Sequence, residues 1–482
     1  MFWRKPKFNI QTLGPGETPG TDMPSAAPPG TMAEEEGVKT FASPAYAVHH
    51  VPPPRRRVAF VVFHGMGQQV PYETQSMLAE CMLENEAQAS KNSKYPEAKM
   101  VVAKLTKEDP PLARIEFTVD RPKRGNTPAE SIDVHIYEAY WAPLTEGKIS
   151  FLETVSFLFG AAANGIKTCL RGGAFKRWMF GDFQDLPIKG GSLLALLSAV
   201  GGFAVALLPL LLFYSKWKAV SGAPTLQSLF VGHWALSFLS LIVLGIYSWA
   251  VRYFLVEYVG DVAIYVSSYK VSRFEEVRTQ IQNTAFSILQ RIYASRIGGE
   301  DGEDAYSEVV LVGHSLGSVI AYDALNGVIS WDAVEKWGRM NVVKRTRRLI
   351  TFGSPLDKTA FLFRTQVSGP RFLREALAAQ KQPLILDYPQ WRPQDSFRWV
   401  NIYSRADVIS GKLNYYDVPL TAGQQAPVGY NPVQNKVDYQ AWIPFAAHIQ
   451  YWNNRILHKE LFDAVGTGSE IPLRSAAAAG RN

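Results

Sequence analysis

Cysteine is nearly absent from this chain. Its 482 residues include only two cysteines, Cys81 and Cys169. Two cysteines so far apart provide no disulfide framework, no C-x-x-C motif and no thiolate cluster of the kind that binds zinc. The composition therefore excludes a small disulfide-stabilised scaffold and a cysteine-ligated metal site, and it favours reducing surroundings.

Long runs of basic residues are also missing. The formal net charge is +7 and the pI calculated from the sequence is about 9.1, but the lysines and arginines are spread along the chain. Nucleic-acid-binding proteins usually concentrate such charges in a patch or a stripe. This distribution therefore favours a membrane surface, and not nucleic acid, as the anionic partner.

The N-terminal residues lack the apolar segment of a secretory signal. Arg4, Lys5 and Lys7 are followed by no apolar run of useful length, so the sequence predicts no cleavable signal peptide. Residues 1–57 are rich in proline, glycine, serine, threonine and alanine. Such a segment buries too little apolar surface to offset its ordering entropy, and it is expected to be a disordered arm.

Charge is absent from two long segments, residues 192–214 and 229–251. At about 1.5 Å per residue, a helix of either length covers the ~30 Å hydrocarbon core of a bilayer. A pair of buried core helices is the competing interpretation, but two uncharged segments of this length favour transmembrane helices. Because residues 215–228 form only a short connection, the two helices are expected to make an antiparallel hairpin.

Such a hairpin returns the chain to the side on which it started, so the flanking parts of the chain lie on one side of the membrane. Basic residues are more frequent outside the hairpin than in its loop, which favours the cytoplasmic side. Those outside are Lys167, Arg171, Lys176, Arg177, Lys189 and Arg252, and those in the loop are Lys216 and Lys218.

One stretch organises the rest of the chain. Residues 309–312 are four consecutive apolar residues that predict a buried strand, and residues 318–325 predict a helix. Gly313-His314-Ser315-Leu316-Gly317 must then form the turn between them. A serine in the pattern G-x-S-x-G lies on a strained strand-to-helix turn, where a side chain at either glycine would collide with a neighbouring element. The pattern predicts a nucleophile elbow with Ser315 as the nucleophile.

A second glycine-containing turn follows the first strong strand, residues 58–63. It reads His64-Gly65-Met66-Gly67. Glycines let the backbone turn sharply and leave amide groups unpaired, which suits an oxyanion. A dinucleotide-binding loop is the competing interpretation, but the third glycine of that motif is missing. The backbone N–H groups of Met66 and Leu316 are the predicted oxyanion donors, and His64 is expected to be structural.

A serine hydroxyl group needs an imidazole to take its proton, and the imidazole needs a carboxylate to hold its tautomer. Asp407 follows a predicted strand at 398–403, and His448 follows it before a terminal helix. Asp357, after the strand at 348–353, is the alternative acid. The remaining candidate bases are less suitable: His49 and His50 lie in the arm, His314 is expected to face away from the serine, and His458 lies within the last helix.

These motifs together resemble the lipase and esterase branch of the α/β-hydrolase superfamily. The resemblance covers about residues 58–142 and 258–464, and residues 260–265 and 447–452 also resemble segments of membrane-associated hydrolases of that branch. It implies an α/β-hydrolase fold, a mostly parallel sheet with helices on both faces. The insertion at residues 143–257 departs from the ordinary pattern of that family, and residues 465–482, rich in small residues, are expected to be a flexible tail. The resemblance also implies hydrolysis of acyl esters through an acyl-serine intermediate, without a metal or an organic cofactor.

The expected function is thus a membrane-anchored serine ester hydrolase that acts on a lipid or another hydrophobic ester. The alternative is a catalytically silent hydrolase fold that serves as a membrane scaffold. The presence of Ser315, Asp407 and His448 together argues against that alternative. The sequence does not predict the acyl chain, the head group or the oligomeric state.

Overall fold

The computed structural model describes most of the segments that carry predicted strands and helices. The ranges are 9–12, 56–67, 69–89, 96–106, 109–121, 129–148, 272–297, 302–359, 397–407, 409–413, 433–443 and 446–466, together with Glu153, Ile242, Gly245, Asp261, Ile264 and Tyr265. They include every site residue predicted from the sequence.

The first part of the fold is mainly strands. It comprises β1 (Asn9–Thr12), β2 (Arg56–Phe63), helix α1 (Glu73–Ala89), β3 (Ala98–Ala103), β4 (Leu112–Arg121), β5 (Glu130–Ala139) and a 3-10 turn at Ala142–Leu144. The second part alternates strands and helices. It comprises α2 (Ser272–Ala294), β6 (Arg296–Ile297), β7 (Glu303–Asp304), β8 (Glu308–His314), α3 (Leu316–Glu335), α4 (Val342–Arg345), β9 (Thr346–Phe352), β10 (Arg398–Tyr403), β11 (Gln434–Val437), α5 (Ala447–Gln450), a 3-10 turn at Tyr451–Asn453 and α6 (Arg455–Val465).

The described strands form one nine-stranded sheet in the order β1-β3-β4-β5-β2-β8-β9-β10-β11, and β6 and β7 form a separate ribbon. Only β4 runs antiparallel to its two neighbours, while the other pairs in the sheet are parallel. The predicted α/β class with a mostly parallel sheet is therefore confirmed.

Helices cover both faces of the sheet. In β2, Ala59 and Val61 belong to one buried cluster and Val58 and Phe60 to the other, because successive side chains of a strand point to opposite faces. Helices α2 and α3 contribute to the first cluster, and α1 and α6 contribute to the second. Burial on both faces explains why the central strands are continuous apolar runs.

The strand order reverses between β2 and β8, which are neighbours at the centre of the sheet. The chain proceeds from β2 to β5 on one side and from β8 to β11 on the other. In open parallel sheets, such a reversal leaves a crevice beyond the carboxyl ends of the strands. The turns at His64 and at Ser315 both lie there, since they follow β2 and β8 directly.

The N-terminal segment departs from its prediction in two places. Asn9–Thr12 forms a strand parallel to β3, and β2 begins at Arg56, so the prediction of disorder is wrong for these residues. The short strand Ala98–Ala103 was not predicted, because its alternating pattern is brief. The rest of the predicted arm and the tail from residue 467 lie outside the described residues.

The predicted membrane spans at 192–214 and 229–251 lie outside the described residues, except for Ile242 and Gly245. Within the part of the chain that is described, no helix is both long enough and apolar enough to cross a membrane. The hairpin therefore stays a prediction.

Candidate active site

Ser315 occupies a strained turn between β8 and α3. Its backbone angles are φ 53° and ψ −129°, a left-handed conformation that is uncommon for a residue with a side chain. The backbone N–H of Ser315 donates to the carbonyl oxygen of Phe352 at 3.0 Å, and the hydroxyl group of Ser318 donates to the carbonyl oxygen of Ser315 at 2.6 Å. These contacts hold the strained residue in place.

The two glycines of the elbow are required by contacts on both sides of the serine. A Cβ atom at Gly313 would lie 2.5 Å from the Cα atom of Ser318, and one at Gly317 would lie 2.2 Å from the carbonyl oxygen of Phe63. Both distances are far below van der Waals contact, and both obstacles are backbone. The collisions expected from the G-x-S-x-G spacing are therefore present.

His448 lies beside the serine hydroxyl group. Its Nε2 atom is 2.7 Å from Oγ of Ser315, and its Nδ1 atom is 3.0 Å from Oδ2 of Asp407. A carboxylate only accepts, so Nδ1 carries the proton and donates to Asp407. In the neutral ring Nε2 then has the free lone pair, and the Ser315 hydroxyl group donates to it.

Asp407 is buried, and three donors surround its carboxylate. Besides His448, the backbone N–H of Ile409 donates to Oδ1 at 2.9 Å, and the hydroxyl group of Tyr451 donates to Oδ2 at 2.8 Å. Burial alone would raise the pKa of Asp407, but the hydrogen bonds and charge interaction with His448 and the other donors outweigh it and hold that pKa well below its usual range. The carboxylate is therefore ionised near neutral pH.

Of the two candidate acids, Asp407 is the one that contacts the imidazole. Asp357 lies in a helical segment just after β9 and is partly buried. Of the other histidines considered as bases, His458 lies on α6, where its Nε2 donates to the carbonyl oxygen of Trp452 at 2.8 Å. His49 and His50 lie outside the described residues. The geometry thus brings together Ser315, His448 and Asp407.

His314, which was expected to face away from the serine, contacts His448. Its Nε2 donates to the carbonyl oxygen of His448 at 2.9 Å, and its ring stacks on Phe352 with centroids 4.9 Å apart. Burial lowers the pKa of His314 to about 3, so the ring is neutral near pH 7. It supports the backbone of His448 and makes no hydrogen bond to Ser315.

Gly353 lies against the rings of His448 and Tyr451. It has a φ of 61°, and a Cβ atom there would approach His448 Cε1 and Tyr451 Cε2 at 3.2 Å. Its backbone N–H donates to the carbonyl oxygen of Ile402 at 3.1 Å. A glycine at the end of β9 therefore leaves the space that the histidine ring occupies.

The turn after β2 lies against the serine. A Cβ atom at Gly65 would lie 3.0 Å from Cβ of Ser315, so this backbone passes directly beside Ser315. The next residue, Met66, buries its side chain in the core. Leu316 is the first residue of α3, where backbone N–H groups have no partner within the helix. The predicted oxyanion donors thus belong to the two turns that meet at Ser315.

Asp261 anchors this turn. The backbone N–H of Gly67 donates to Oδ2 of Asp261 at 2.8 Å, and Asp261 is buried. Gly67 itself has a φ of 96°, which favours glycine. The carboxylate fixes the turn one residue beyond the predicted donor at Met66.

His64 has the structural role expected from the sequence. Its Nδ1 donates to the carbonyl oxygen of Gly65 at 2.9 Å, and its Nε2 accepts from the backbone N–H of Trp141 at 3.0 Å. Its ring also stacks on Trp141 with centroids 4.6 Å apart. Both ring nitrogens are engaged by backbone groups, so His64 ties the turn to the end of β5.

Two residues of the site were not predicted, Tyr451 and Asp261. Each lies in a segment noted for its resemblance to membrane-associated hydrolases, residues 447–452 and 260–265. Tyr451 lies three residues after His448, which places both side chains on one face of a helical turn. That spacing was a usable signal for Tyr451, whereas Asp261 is 194 positions from its partner Gly67.

The chain was compared with models of known protein families, with curated proteins and with solved structures, and none of them matches. The interpretation of the site therefore rests on the geometry of the chain itself. A function follows only from the chemistry that this geometry supports.

Proposed function

We propose that this protein is a serine hydrolase of α/β-hydrolase type that cleaves carboxylic esters through an acyl-serine intermediate. One observation carries the proposal: a continuous series of hydrogen bonds runs from Asp407 through His448 to Ser315. Its members come from three separate parts of the chain, and the serine lies on a strained turn at the carboxyl edge of the sheet. A purely structural cluster has no need of that strain.

In the first step, Oγ of Ser315 attacks the carbonyl carbon of the ester while Nε2 of His448 takes the hydroxyl proton. The resulting imidazolium is stabilised by the ionised Asp407, which keeps the ring oriented through Nδ1. The carbonyl oxygen becomes an oxyanion, and the backbone N–H groups of Met66 and Leu316 are its proposed donors. Each such donor contributes about 3 to 4 kcal/mol of transition-state stabilisation.

In the second step, the tetrahedral intermediate collapses, and the alcohol leaves with the proton that His448 holds. A water molecule then gives its proton to His448 and attacks the acyl carbon. Collapse of this second intermediate releases the carboxylic acid and returns the proton to Oγ of Ser315. One ester and one water thus give one acid and one alcohol, and the protein is regenerated.

The proposed substrate is a lipid or another hydrophobic ester, and the proposed location is a membrane with the hydrolase on its cytoplasmic side. This part is supported by the uncharged segments at 192–214 and 229–251 and by the basic residues that flank them. A protein anchored in the bilayer meets lipid-soluble esters at high local concentration.

The decisive experiment is labelling with a fluorophosphonate probe, which reacts covalently with an activated serine. The full-length protein in detergent is expected to be labelled, and Ser315→Ala is expected to be unlabelled. Ser307→Ala is a matched control, because Ser307 is exposed and precedes β8 at the opposite edge of the sheet, where its hydroxyl group donates to the carbonyl oxygen of Arg57 at 3.0 Å. Labelling of Ser315→Ala equal to that of wild type would show that another residue reacts. No labelling of the folded wild type would favour the alternative, a silent membrane scaffold.

The choice of acid is tested by two isosteric variants. Asp407→Asn is expected to reduce kcat for a short soluble ester by about 10⁴-fold, because the amide favours the wrong tautomer of the imidazole. Asp357→Asn is expected to retain kcat within a few-fold. The reverse result would make Asp357 the acid.

A further inference from the structure

Two short segments beside the site expose large apolar side chains to solvent. Tyr439 is 72% exposed and Trp442 is 69% exposed, although aromatic side chains of this size are usually largely buried. We call the exposed set the apolar rim; it consists of Val70, Tyr72, Tyr439, Trp442, Ile443 and Ile449. Groups of exposed apolar side chains around a site mark interaction surfaces.

One half of the apolar rim adjoins His448, the proposed catalytic base. Ile449 follows His448 directly on α5, and the backbone N–H of Ala447 donates to the carbonyl oxygen of Ile443 at 2.7 Å. The hydroxyl group of Ser404 donates to the carbonyl oxygen of Ala441. Residues 441–443 are therefore held between the end of β10 and the start of α5, the helix that carries His448.

The other half follows the turn that passes Ser315. Val70 and Tyr72 immediately precede α1. Helices α1 and α6 run in the same direction, because Cys81 donates to the carbonyl oxygen of Trp452 at 3.2 Å and Asn85 donates to that of His458 at 3.0 Å. The start of α1 thus lies on the same edge of the sheet as α5, and both halves of the apolar rim border the site.

Positive charge flanks the half around Trp442. Arg405 and Arg455 are exposed, whereas Asp438 is buried and accepts from the side chain of Asn454 at 2.7 Å. Arg455 lies beside Tyr439, since its backbone N–H donates to the side chain of Gln440 at 3.0 Å. Aromatic residues next to exposed arginines match the anionic, amphipathic boundary of a phospholipid bilayer.

The insertion at 143–257 leaves and re-enters the core at this same edge. On one side, the backbone N–H of Trp141 donates to His64 at 3.0 Å. On the other, Asp261 accepts from Gly67 at 2.8 Å. Both partners belong to the turn beside Ser315, so the connections of the predicted membrane hairpin begin and end around the site.

We infer that the apolar rim rests in the headgroup–acyl boundary of a phospholipid bilayer, so that the mouth of the site opens onto the membrane and not onto bulk water. The inference rests on the proposed function for its purpose, which is direct entry of a bilayer-dissolved ester, but it is tested independently of catalysis. A second copy of the chain is the competing occupant. Contact with a second copy would explain neither the exposed arginines beside the apolar rim nor the position of the insertion at 143–257.

Position 337 provides a matched control for position 442. Trp337 is 84% exposed, and it follows α3, whose 20 residues carry the chain about 30 Å from the elbow. It precedes α4 and β9, so it lies at the amino edge of the sheet, opposite the site. Among the described residues, one exposed tryptophan therefore lies on the proposed membrane side and one on the far side.

The test places an environment-sensitive fluorophore at each position in turn, through Trp442→Cys or Trp337→Cys in a Cys169→Ser background. Cys81 does not interfere, because it is buried, and burial together with the charges of Glu84 and Glu80 raises the pKa of its thiol group to about 12. The full-length protein is reconstituted in vesicles of phosphatidylcholine with a minor fraction of phosphatidylserine. A quencher attached to the acyl chains reports the depth of each label.

Strong quenching at position 442 and none at position 337 is the expected result. Equal quenching at the two positions, or none at 442, would overturn the inference. If Trp442→Ser changes the oligomeric state and positions 442 and 337 are quenched equally, the apolar rim contacts a second copy of the chain. That result would also overturn the inference. None of these outcomes depends on catalysis, so they leave the proposed function to its own test.

Activity provides a second readout. Trp442→Ser is expected to lower kcat/KM for an ester carried in vesicles roughly tenfold, about the effect of exposing one large apolar side chain. Fluorophosphonate labelling and turnover of a short soluble ester should stay at the wild-type level. Trp337→Ser should change neither activity. An equal loss on both substrates would mean that Trp442 supports the fold or the triad, and it would contradict docking.

Discussion

The hydroxyl group of Tyr451 donates to Oδ2 of Asp407 at 2.8 Å, the same oxygen that accepts from His448. The phenol is itself fixed by the backbone N–H of Ser404 at 2.8 Å and by the hydroxyl group of Ser410 at 2.9 Å. Burial and the neighbouring carboxylate raise the pKa of Tyr451, so the hydroxyl group keeps its proton and acts as a donor. Asp407 is thus held in one orientation by a residue on the same helical turn as His448, the proposed base.

Tyr451→Phe removes this donor while keeping the ring. A hydrogen bond to a charged acceptor contributes about 1.5 to 3 kcal/mol, so we expect kcat for a short soluble ester to fall roughly tenfold or more. KM should be unchanged, because Tyr451 acts through Asp407 and not through the substrate. The split between kcat and KM distinguishes this positioning role from a general loss of structure.

Tyr293→Phe is the matched control for that variant. Tyr293 is also fully buried, and its hydroxyl group shares a hydrogen bond with Thr346 at 2.6 Å. Thr346 begins β9, so this pair lies at the opposite edge of the sheet. We expect a stability loss of about 1 kcal/mol and a normal kcat. Equal kcat values for wild type and Tyr451→Phe would contradict the positioning role.

Gly317→Ala tests the elbow without touching a reacting group. The added methyl group would lie 2.2 Å from the carbonyl oxygen of Phe63 and 2.3 Å from that of His64, and backbone cannot move aside as a side chain does. We expect destabilisation of about 3 kcal/mol or more and loss of fluorophosphonate labelling. Thermal unfolding and labelling of the same sample measure both effects.

Gly327→Ala makes the same chemical change on the same helix. There the new methyl group meets only the ring of Phe286, at 3.2 Å, and alanine favours helix by about 1 kcal/mol over glycine. We expect stability close to that of wild type and normal labelling. Similar losses in the two variants would show that α3 tolerates no added volume, and the special role of Gly317 would be refuted.

The elbow could be predicted because its determinants are contiguous. The apolar run at 309–312, the glycines around Ser315 and the helix that follows lie within one short stretch, and local patterns specify such a turn. The positions of Asp407 and His448 followed from a topological rule, since residues at the carboxyl ends of later strands meet at one edge. Neither step required knowledge of packing.

The contacts of Asp261 and the position of His314 could not be predicted in the same way. Asp261 meets Gly67 only after the insertion has returned to the sheet, and no spacing rule links residues so far apart. His314 was expected only to face away from Ser315, and its packing against Phe352 and against the ring of His448, with centroids 5.1 Å apart, was not predicted. Tertiary packing decides both features.

Asp261→Ala tests whether the carboxylate fixes the turn beside Ser315. Without it, the N–H of Gly67 loses a charged acceptor, and the backbone around Met66 is less well ordered for an oxyanion. We expect kcat to fall roughly tenfold while KM for a short ester stays unchanged. Asp261→Asn retains an oxygen acceptor, so it should recover most of the loss. A normal kcat for Asp261→Ala would show that the turn holds its position without this contact.

The final prediction concerns acid stability and His64. Burial lowers the pKa of His64 to about 4, although the hydrogen bond to the carbonyl oxygen of Gly65 favours the protonated ring. The unfolded chain, with an ordinary histidine pKa of about 6.5, therefore binds a proton more readily than the folded protein. The neutral ring of His64 therefore contributes about 3 kcal/mol to the free energy of unfolding above about pH 6.5. This contribution is lost progressively as the pH falls from about 6.5 to 4.

His64→Gln separates this proton from the others, because its amide oxygen accepts a hydrogen bond but does not titrate. The free energy of unfolding is measured by urea denaturation of the full-length protein in detergent at pH 7 and pH 5. The fall in wild type should exceed that in the variant by about 2 kcal/mol, the share of the titration that lies between those two pH values. Loss of the ring stack on Trp141 lowers the free energy of unfolding of the variant at both pH values. Only the difference between the two pH values therefore measures the protonation of His64. Parallel pH dependence in the two proteins would mean that His64 does not resist protonation in the folded state.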